Sequence, residues 1–305
     1  MSFLLVVPPQ ISCRMHQPLI AVDIGNTRIK LGLFGGQHAT LPQAETPIRQ
    51  LDLPKPVAIL ALPALDWDEH QLRSWLNSDI TGAIKAAGAN EIQWWIASVN
   101  RPAAAKLTQW IASNSPNARV RILAHSDLPI TAAVEHPDRV GIDRLAGAAA
   151  ANRLRNPARP AIIVGVGTAI TVDLVAADGV FQGGAILPGI GMSARALEAF
   201  TDLLPHSPVD ELATAPPALG ATTLDAIHSG LYWGAVGAMR ELIARQSEGL
   251  FGAADSASAS AAVAIKPDVF LTGGAAASVA QTLDPAARYC EHLVLSGISL
   301  ANPQR

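Results

Sequence analysis

The stretch Leu19–Phe34, LIAVDIGNTRIKLGLF, sets two apolar runs on either side of a polar bend, Asp23-Ile24-Gly25-Asn26-Thr27. Two strands, 19–24 and 29–34, joined by a tight reversal satisfy that pattern. Gly25 and Asn26 are residues that a hairpin bend needs for backbone reasons. Asp23 before the bend and Lys30 after it are not needed for the reversal. Charges on both sides of a glycine turn raise a second use, in which the turn holds a ligand.

An echo of this unit lies in the other half of the chain. IIVGVGTAITVDLV repeats an apolar strand, a Gly-Thr bend and a second apolar strand. The repeat predicts a duplicated βββ-α unit, with the two turns facing each other across a cleft. Strands alternating with helices make the class α/β. Helical spacing joins Trp67, Leu72, Trp75 and Ile80, and a second helix lies in AAAKLTQWIASN. EIQWWIASVN reads as a strand with Trp94 and Trp95 on opposite faces, and VRILAH as another. An Ala-rich helix runs from Asp143 to the Asn156-Pro157 break. After the second bend we expect a strand, an Asp-Gly turn, a short strand and then a Gly-rich loop over GGAILPG. LGATTLDAIHSGLYWGAVGAMRELIARQ is a long helix, and DVFLTGGAAASVAQTL is strand, double-Gly turn, helix. Leu41 to Pro63 reads as Pro-rich connection, and GAADSASASAAVA as a low-complexity linker.

Composition limits the function classes. The chain has 305 residues, is 50% hydrophobic and only 15% charged, which suits a large core. A net charge of -3 gives no general attraction to nucleic acid. Cys13 and Cys290 show neither metal nor disulfide spacing, as in a reducing cytosol, and read as free buried thiols. No apolar run spans a membrane, and MSFLLVVPPQ lacks a basic leader, so the expected location is cytoplasmic. Residues 1–18 are expected to form a loosely held extension.

The chemistry concentrates in the bends. Gly25 and Gly167 let backbone approach a ligand, and free N–H groups there form an anion-binding concavity. Asn26, Thr27 and Thr168 add side-chain hydrogen bonds, Lys30 a positive charge. Asp23 suits magnesium held through water, since that ion takes few carboxylates. Leu271 to Ala275 adds a helix N-terminus beside a close backbone approach. Together these form a triphosphate clamp. Asp143, at a helix start, fits two readings, an N-cap or a base that accepts a hydroxyl proton. Arg144 likewise fits a surface ion pair or a contact to an anionic or polyhydroxyl substrate. The histidines lack metal-ligand spacing, and neither a Gly-x-Ser-x-Gly elbow nor a Walker loop occurs.

The ordered set DIGNTRIK (23–30), GIDR (141–144), GTAITVD (167–173), GGAILPG (183–189), GATTLDAIHSG (220–230) and LTGGAA (271–276) resembles type III pantothenate kinases. These belong to the acetate and sugar kinase, heat-shock ATPase and actin superfamily. The resemblance runs from about Leu19 to near the C-terminus. It implies two ribonuclease-H-like, actin-like ATPase domains with a cleft between them, 19–140 and 141–305. It implies ATP-dependent phosphorylation of pantothenate to 4'-phosphopantothenate, the first step of coenzyme A synthesis. Asp23, Ile24, Gly25, Asn26, Thr27, Arg28, Ile29 and Lys30 would hold the ATP phosphates and magnesium, with Gly167 and Thr168 opposite. Asp143 would be the base, and Gly141, Ile142, Asp143, Arg144 and Thr223 would contact pantothenate. The family is dimeric, with its pantothenate site completed near the subunit interface.

The chain departs from the family at two places. Gly165 replaces an Asp that binds a monovalent cation, potassium or ammonium, in many members. Val134 replaces a Tyr three residues before Pro137. Two rivals remain. One is a kinase of the same superfamily acting on a sugar or short acid, against which GIDR and GATT speak. The other is a non-catalytic regulatory relative, against which the intact Asp23 and Asp143 speak.

Overall fold

The computed structural model describes residues 18–35, 53–80, 92–208, 214–249 and 266–302. The N-terminal extension through residue 17, Cys13 and the Ser/Ala linker lie outside these residues.

Strands β1 (Leu19–Ile24) and β2 (Arg28–Phe34) pair antiparallel, with Asp23 opposite Lys30. β2 continues antiparallel into β3 (Ala58–Pro63), while β4 (Gln93–Ser98) and β5 (Arg119–Ile122) follow parallel on the other side of β1. The sheet order is β3-β2-β1-β4-β5. In the second half, β7 (Ala161–Val166), β8 (Ala169–Val175) and β9 (Val180–Pro188) run antiparallel, and β10 (Asp268–Thr272) and β11 (Arg288–Tyr289) run parallel beyond β7. The order β9-β8-β7-β10-β11 reproduces the first sheet strand for strand. The internal echo is therefore a duplicated topology. A short β6 (Thr131–Ala132) extends the second sheet by pairing with β9.

Strand alternation sorts the side chains into three cores. Ile20, Val22, Ile24 and Trp94 face α1 (Glu69–Trp75) and α2 (Arg101–Asn114), where Leu72, Trp75 and Leu107 are buried. Both helices have side-chain caps: Asp68 accepts from His70 N, and Asn100 from Ala103 N. Ile162, Val164 and Val172 face α4 (Ile190–Ala199), α5 (Thr223–Gly249) and α6 (Ala276–Leu283). Between the two sheets lie α3 (Ile142–Leu154) and α7 (Leu293–Ser299), packed against Leu19, Ala21, Ile163 and Phe270. Burial on nearly every side explains the alanines of α3. A Cβ on Gly297 of α7 would lie 1.9 Å from the Ala146 carbonyl of α3, so the helices meet backbone to backbone. Trp94 is fully buried, and Trp95 packs on the opposite face against the middle layer.

Three local expectations are corrected. The Pro-rich connection contains β3, whose Leu60 and Leu62 point inward. Its prolines are tolerated because the strand is at the sheet edge. The expected Gly-rich loop is instead the body of β9, which runs to Pro188. Gly183 has φ +94° at an irregularity opposite Leu174 and Val175, and the pairing resumes beyond it. Cys290 is half-buried rather than buried, and burial pushes its thiol up.

Candidate active site

Duplicated sheets bring duplicated turns together. In the β1–β2 bend, Gly25 N donates to Arg28 O; in the β7–β8 bend, Gly167 N donates to Ala169 O, at 2.9 and 3.0 Å. The bends touch: Thr27 Oγ1 lies 2.8 Å from Thr168 Oγ1. A third turn joins them after β10. Gly273 has φ +110°, and a Cβ there would fall 2.3 Å from the Val166 carbonyl at the end of β7. Ala275 N donates to that same carbonyl. A Cβ on Gly274 would come 3.9 Å from Arg28 Nη1. Asn26, Thr27 and Arg28 are exposed, while Ile24 and Ile29 are buried strand residues that anchor the bend. The ligand-facing role of these two is limited to their backbone.

Beneath the turns, carboxylates gather. Asp23 is pushed up to about 7, by burial first and by the charge of Asp143 next, against the pull of Lys30 across the ladder. Asp143 and Asp23 thus share one field although they belong to different halves. Burial also pushes Asp143 up, against the pull of backbone N–H groups and Arg144. Asp143 Oδ1 accepts from Arg144 N at 2.9 Å. The cap position of α3 is Gly141, not Asp143, whose carboxylate sits inside the first turn. The hydrogen bonds that its carboxylate accepts from backbone are local, from Arg144 and from its own N–H.

Arg144 is committed. Its Nε donates to Asp173 Oδ1 and Oδ2 at 3.0 and 3.2 Å, its Nη2 also bonds Oδ1, and its guanidinium lies over Phe181. The surface ion pair expected as one alternative is a buried one, with the Asp173 side chain 2% exposed. His292, at the start of α7, lies near enough to Lys30 to feel its charge, and burial lowers its pKa most. Among the described residues no cluster of His, Cys, Asp or Glu forms a metal cage. Asp23, with Asp143 raising its pKa and only Lys30 pulling it down, is a carboxylate whose negative charge a cation would offset. That fits a magnesium ion shared with phosphates and water.

The model of the type III pantothenate kinase family matches residues 19–245. The chain is 34% identical to the type III pantothenate kinase of Rhodopirellula baltica, over 73% of this chain and 82% of that one. It is 32% identical to that of Chlorobaculum parvum, over 92% of each chain. The chain belongs to the type III pantothenate kinase family. Among solved structures it is similar to a putative N-acetylmannosamine kinase from Listeria monocytogenes, with 12% identity, a TM-score of 0.43, and coverage of 92% of this chain and 97% of that one.

Within this family member the structure brings together Asp23, Lys30, Thr27, Thr168, Gly167, Asp143 and Arg144. Gly141 and Ile142 open α3 directly beside Asp143. Thr223, the first residue of α5, is exposed, and the cap of that helix is Thr222, which accepts from Asp225 N. Val134 packs at the rim of the middle layer near Gly183. Gly165 faces Thr171, whose hydroxyl a Cβ would meet at 2.8 Å. Sequence reading did not place Asp173 against Arg144 and did not single out His292. An Asp inside an otherwise apolar strand, AITVDLV, was the available signal for the first; the second carried none.

Proposed function

We propose that the meeting turns bind the ATP phosphates and that Asp143 activates the primary hydroxyl of pantothenate. The observation that carries this reading is the Thr27–Thr168 contact above the Asp23–Asp143 pair. It supports a clamp in which residues from both duplicated sheets reach one triphosphate. The backbone N–H groups of the bends, with Asn26, Thr27, Thr168, Arg28 and Lys30, neutralise and orient phosphate oxygens. Asp23 would hold magnesium, which would supply charge neutralisation on the phosphates. Asp143 takes the hydroxyl proton as the hydroxyl oxygen attacks the γ-phosphorus. The bond from that phosphorus to the β,γ-bridging oxygen breaks, releasing ADP and 4'-phosphopantothenate. Arg144 offers the pantothenate carboxylate the donors that Asp173 does not take, with Gly141, Ile142 and Thr223 lining the same subsite.

Gly165 brings no carboxylate, so the residues present do not fit the family's usual monovalent-cation anchor. We assign the halves to lobes 19–140 and 141–305, with β6 lent to the second sheet. A homodimer is supported by Phe200, Leu203 and Leu219, each 88% exposed. The use of ATP suits a cytoplasmic enzyme; among the described residues no helix is long and apolar enough to cross a membrane.

The test is pantothenate-dependent ADP release, compared with a panel of sugars and acetate, with and without magnesium. Release with pantothenate and magnesium alone is expected. Equal release with a sugar would replace pantothenate as the substrate.

A further inference from the structure

We propose that Asp173 is a positioning residue, whose carboxylate clamps the Arg144 guanidinium and thereby fixes the first turn of α3 that carries Asp143. This rests on the reading of Asp143 as the base.

Asp173 is 1% exposed, on β8, in register with Gly184 of β9 and Ile163 of β7. A buried carboxylate there is costly unless it is paired and hydrogen-bonded. Three contacts from Arg144 and the Thr171 hydroxyl meet that cost. The site is shaped for the clamp. A Cβ on Gly184 would lie 2.5 Å from Asp173 Oδ1 and 2.2 Å from the Val172 carbonyl, so only glycine leaves the carboxylate its place. Phe181, fully buried, backs the guanidinium plane.

Arg144 follows Asp143 directly, and its own N–H donates to Asp143 Oδ1. Seizing the Arg144 side chain from β8 therefore holds the helix end, the N–H and the base as one unit. The fork geometry matters, because a guanidinium held through Nε and Nη2 cannot pivot, whereas an ammonium can. The charge balance matters as well. The groups acting on Asp143 or on its immediate partners are Asp23 on β1, Lys30 on β2, Arg144 on its own helix and Asp173 on β8. His292 and Glu291, at the start of α7, act beyond Lys30. Asp173 offsets Arg144, so Asp143 keeps enough basicity to accept a proton.

The experiment compares Asp173→Asn, Arg144→Lys and the Arg144→Gln/Asp173→Asn pair with the parent. It measures kcat, KM for pantothenate and ATP, and the pH profile of kcat. Asp173→Asn is expected to lower kcat about tenfold to a hundredfold, less than the loss of about a hundredfold or more from removing a general base itself. It leaves the Arg144 charge without its counter-ion, so the acid limb of the profile moves to lower pH. The double variant removes both charges and returns the limb towards the parent position, which a merely structural role would not do. Arg144→Lys keeps the cation and loses the fork, and is expected to lower kcat at least tenfold even where Asp173→Asn does not fold. A kcat within threefold of the parent for Arg144→Lys, or an unmoved acid limb in folded Asp173→Asn, overturns the proposal. A parent that does not phosphorylate pantothenate overturns the underlying reading instead.

Discussion

Thr27 Oγ1 and Thr168 Oγ1, from turns 141 residues apart in sequence, lie 2.8 Å from each other. Each closes the first hairpin of its sheet, and the two sheets share one strand order. A hydroxyl pair exposed at that junction can exchange its mutual bond for two bonds to phosphate oxygens. Replacing either threonine with valine keeps the shape and removes the hydroxyl. Each single change is expected to raise KM for ATP about fivefold to tenfold, near the roughly 1 kcal/mol of one hydrogen bond. The double change is expected to fall short of the product, since the residues touch. Unchanged KM for ATP in both singles would remove the clamp.

The carboxylates give stability a pH dependence of known sign. Asp23 titrates near 7 in the folded chain against an ordinary 3.8. Between those values the folded state holds a proton that the unfolded state releases, so stability falls as pH rises through the window. Asp143 and Asp173, also raised by burial, act in the same direction. Thermal melts from pH 5 to pH 8 should show the midpoint falling. Magnesium and ATP should flatten the fall, because a bound cation favours ionised Asp23. A midpoint that rises across the range contradicts this assignment.

Gly165 predicts weak or absent activation by potassium or ammonium, because one formal charge is missing from any oxygen shell there. Activity in sodium- and potassium-free buffer decides the point; collapse there with rescue by potassium alone would refute it. Gly165→Asp is expected to create or strengthen the potassium response. Its Cβ meets the Thr171 hydroxyl that supports Asp173, so basal activity is expected to fall at the same time.

A homodimer is expected at micromolar concentration. Phe200, Leu203 and Leu219 are nearly fully exposed on a single chain, and such side chains mark surfaces that partners cover. Sedimentation equilibrium showing only monomer would contradict it. Leu203→Lys is expected to weaken the association.

The duplicated hairpins were legible because Gly, Asn and Thr bends between apolar runs have few other uses. Asp143 and Arg144 were legible as a pair at a helix start. Their roles were not, because a cap, a base and an ion-pair partner call for the same residue types. The cap belongs to Gly141, two residues earlier, and Arg144 is taken by Asp173, on β8 29 residues onward in sequence. Such a pairing depends on which strand passes α3, which local patterning does not encode. β3 was hidden by Pro54, Pro56 and Pro63 around a short alternating run, although an edge strand accepts prolines. The glycines of β9 read as a loop because their reasons lie outside the local pattern: Gly184 leaves room for the Asp173 carboxylate on the neighbouring strand, and Gly183 has a positive φ at the irregularity.

The most direct measurement is turnover of Asp143→Asn with pantothenate, alongside nucleotide binding by the same variant. The amide keeps the size and the hydrogen bond from Arg144 N but cannot accept the hydroxyl proton. The account predicts a loss of kcat of about a hundredfold or more with ATP affinity unchanged. Turnover within a few-fold of the parent would contradict Asp143 as the base.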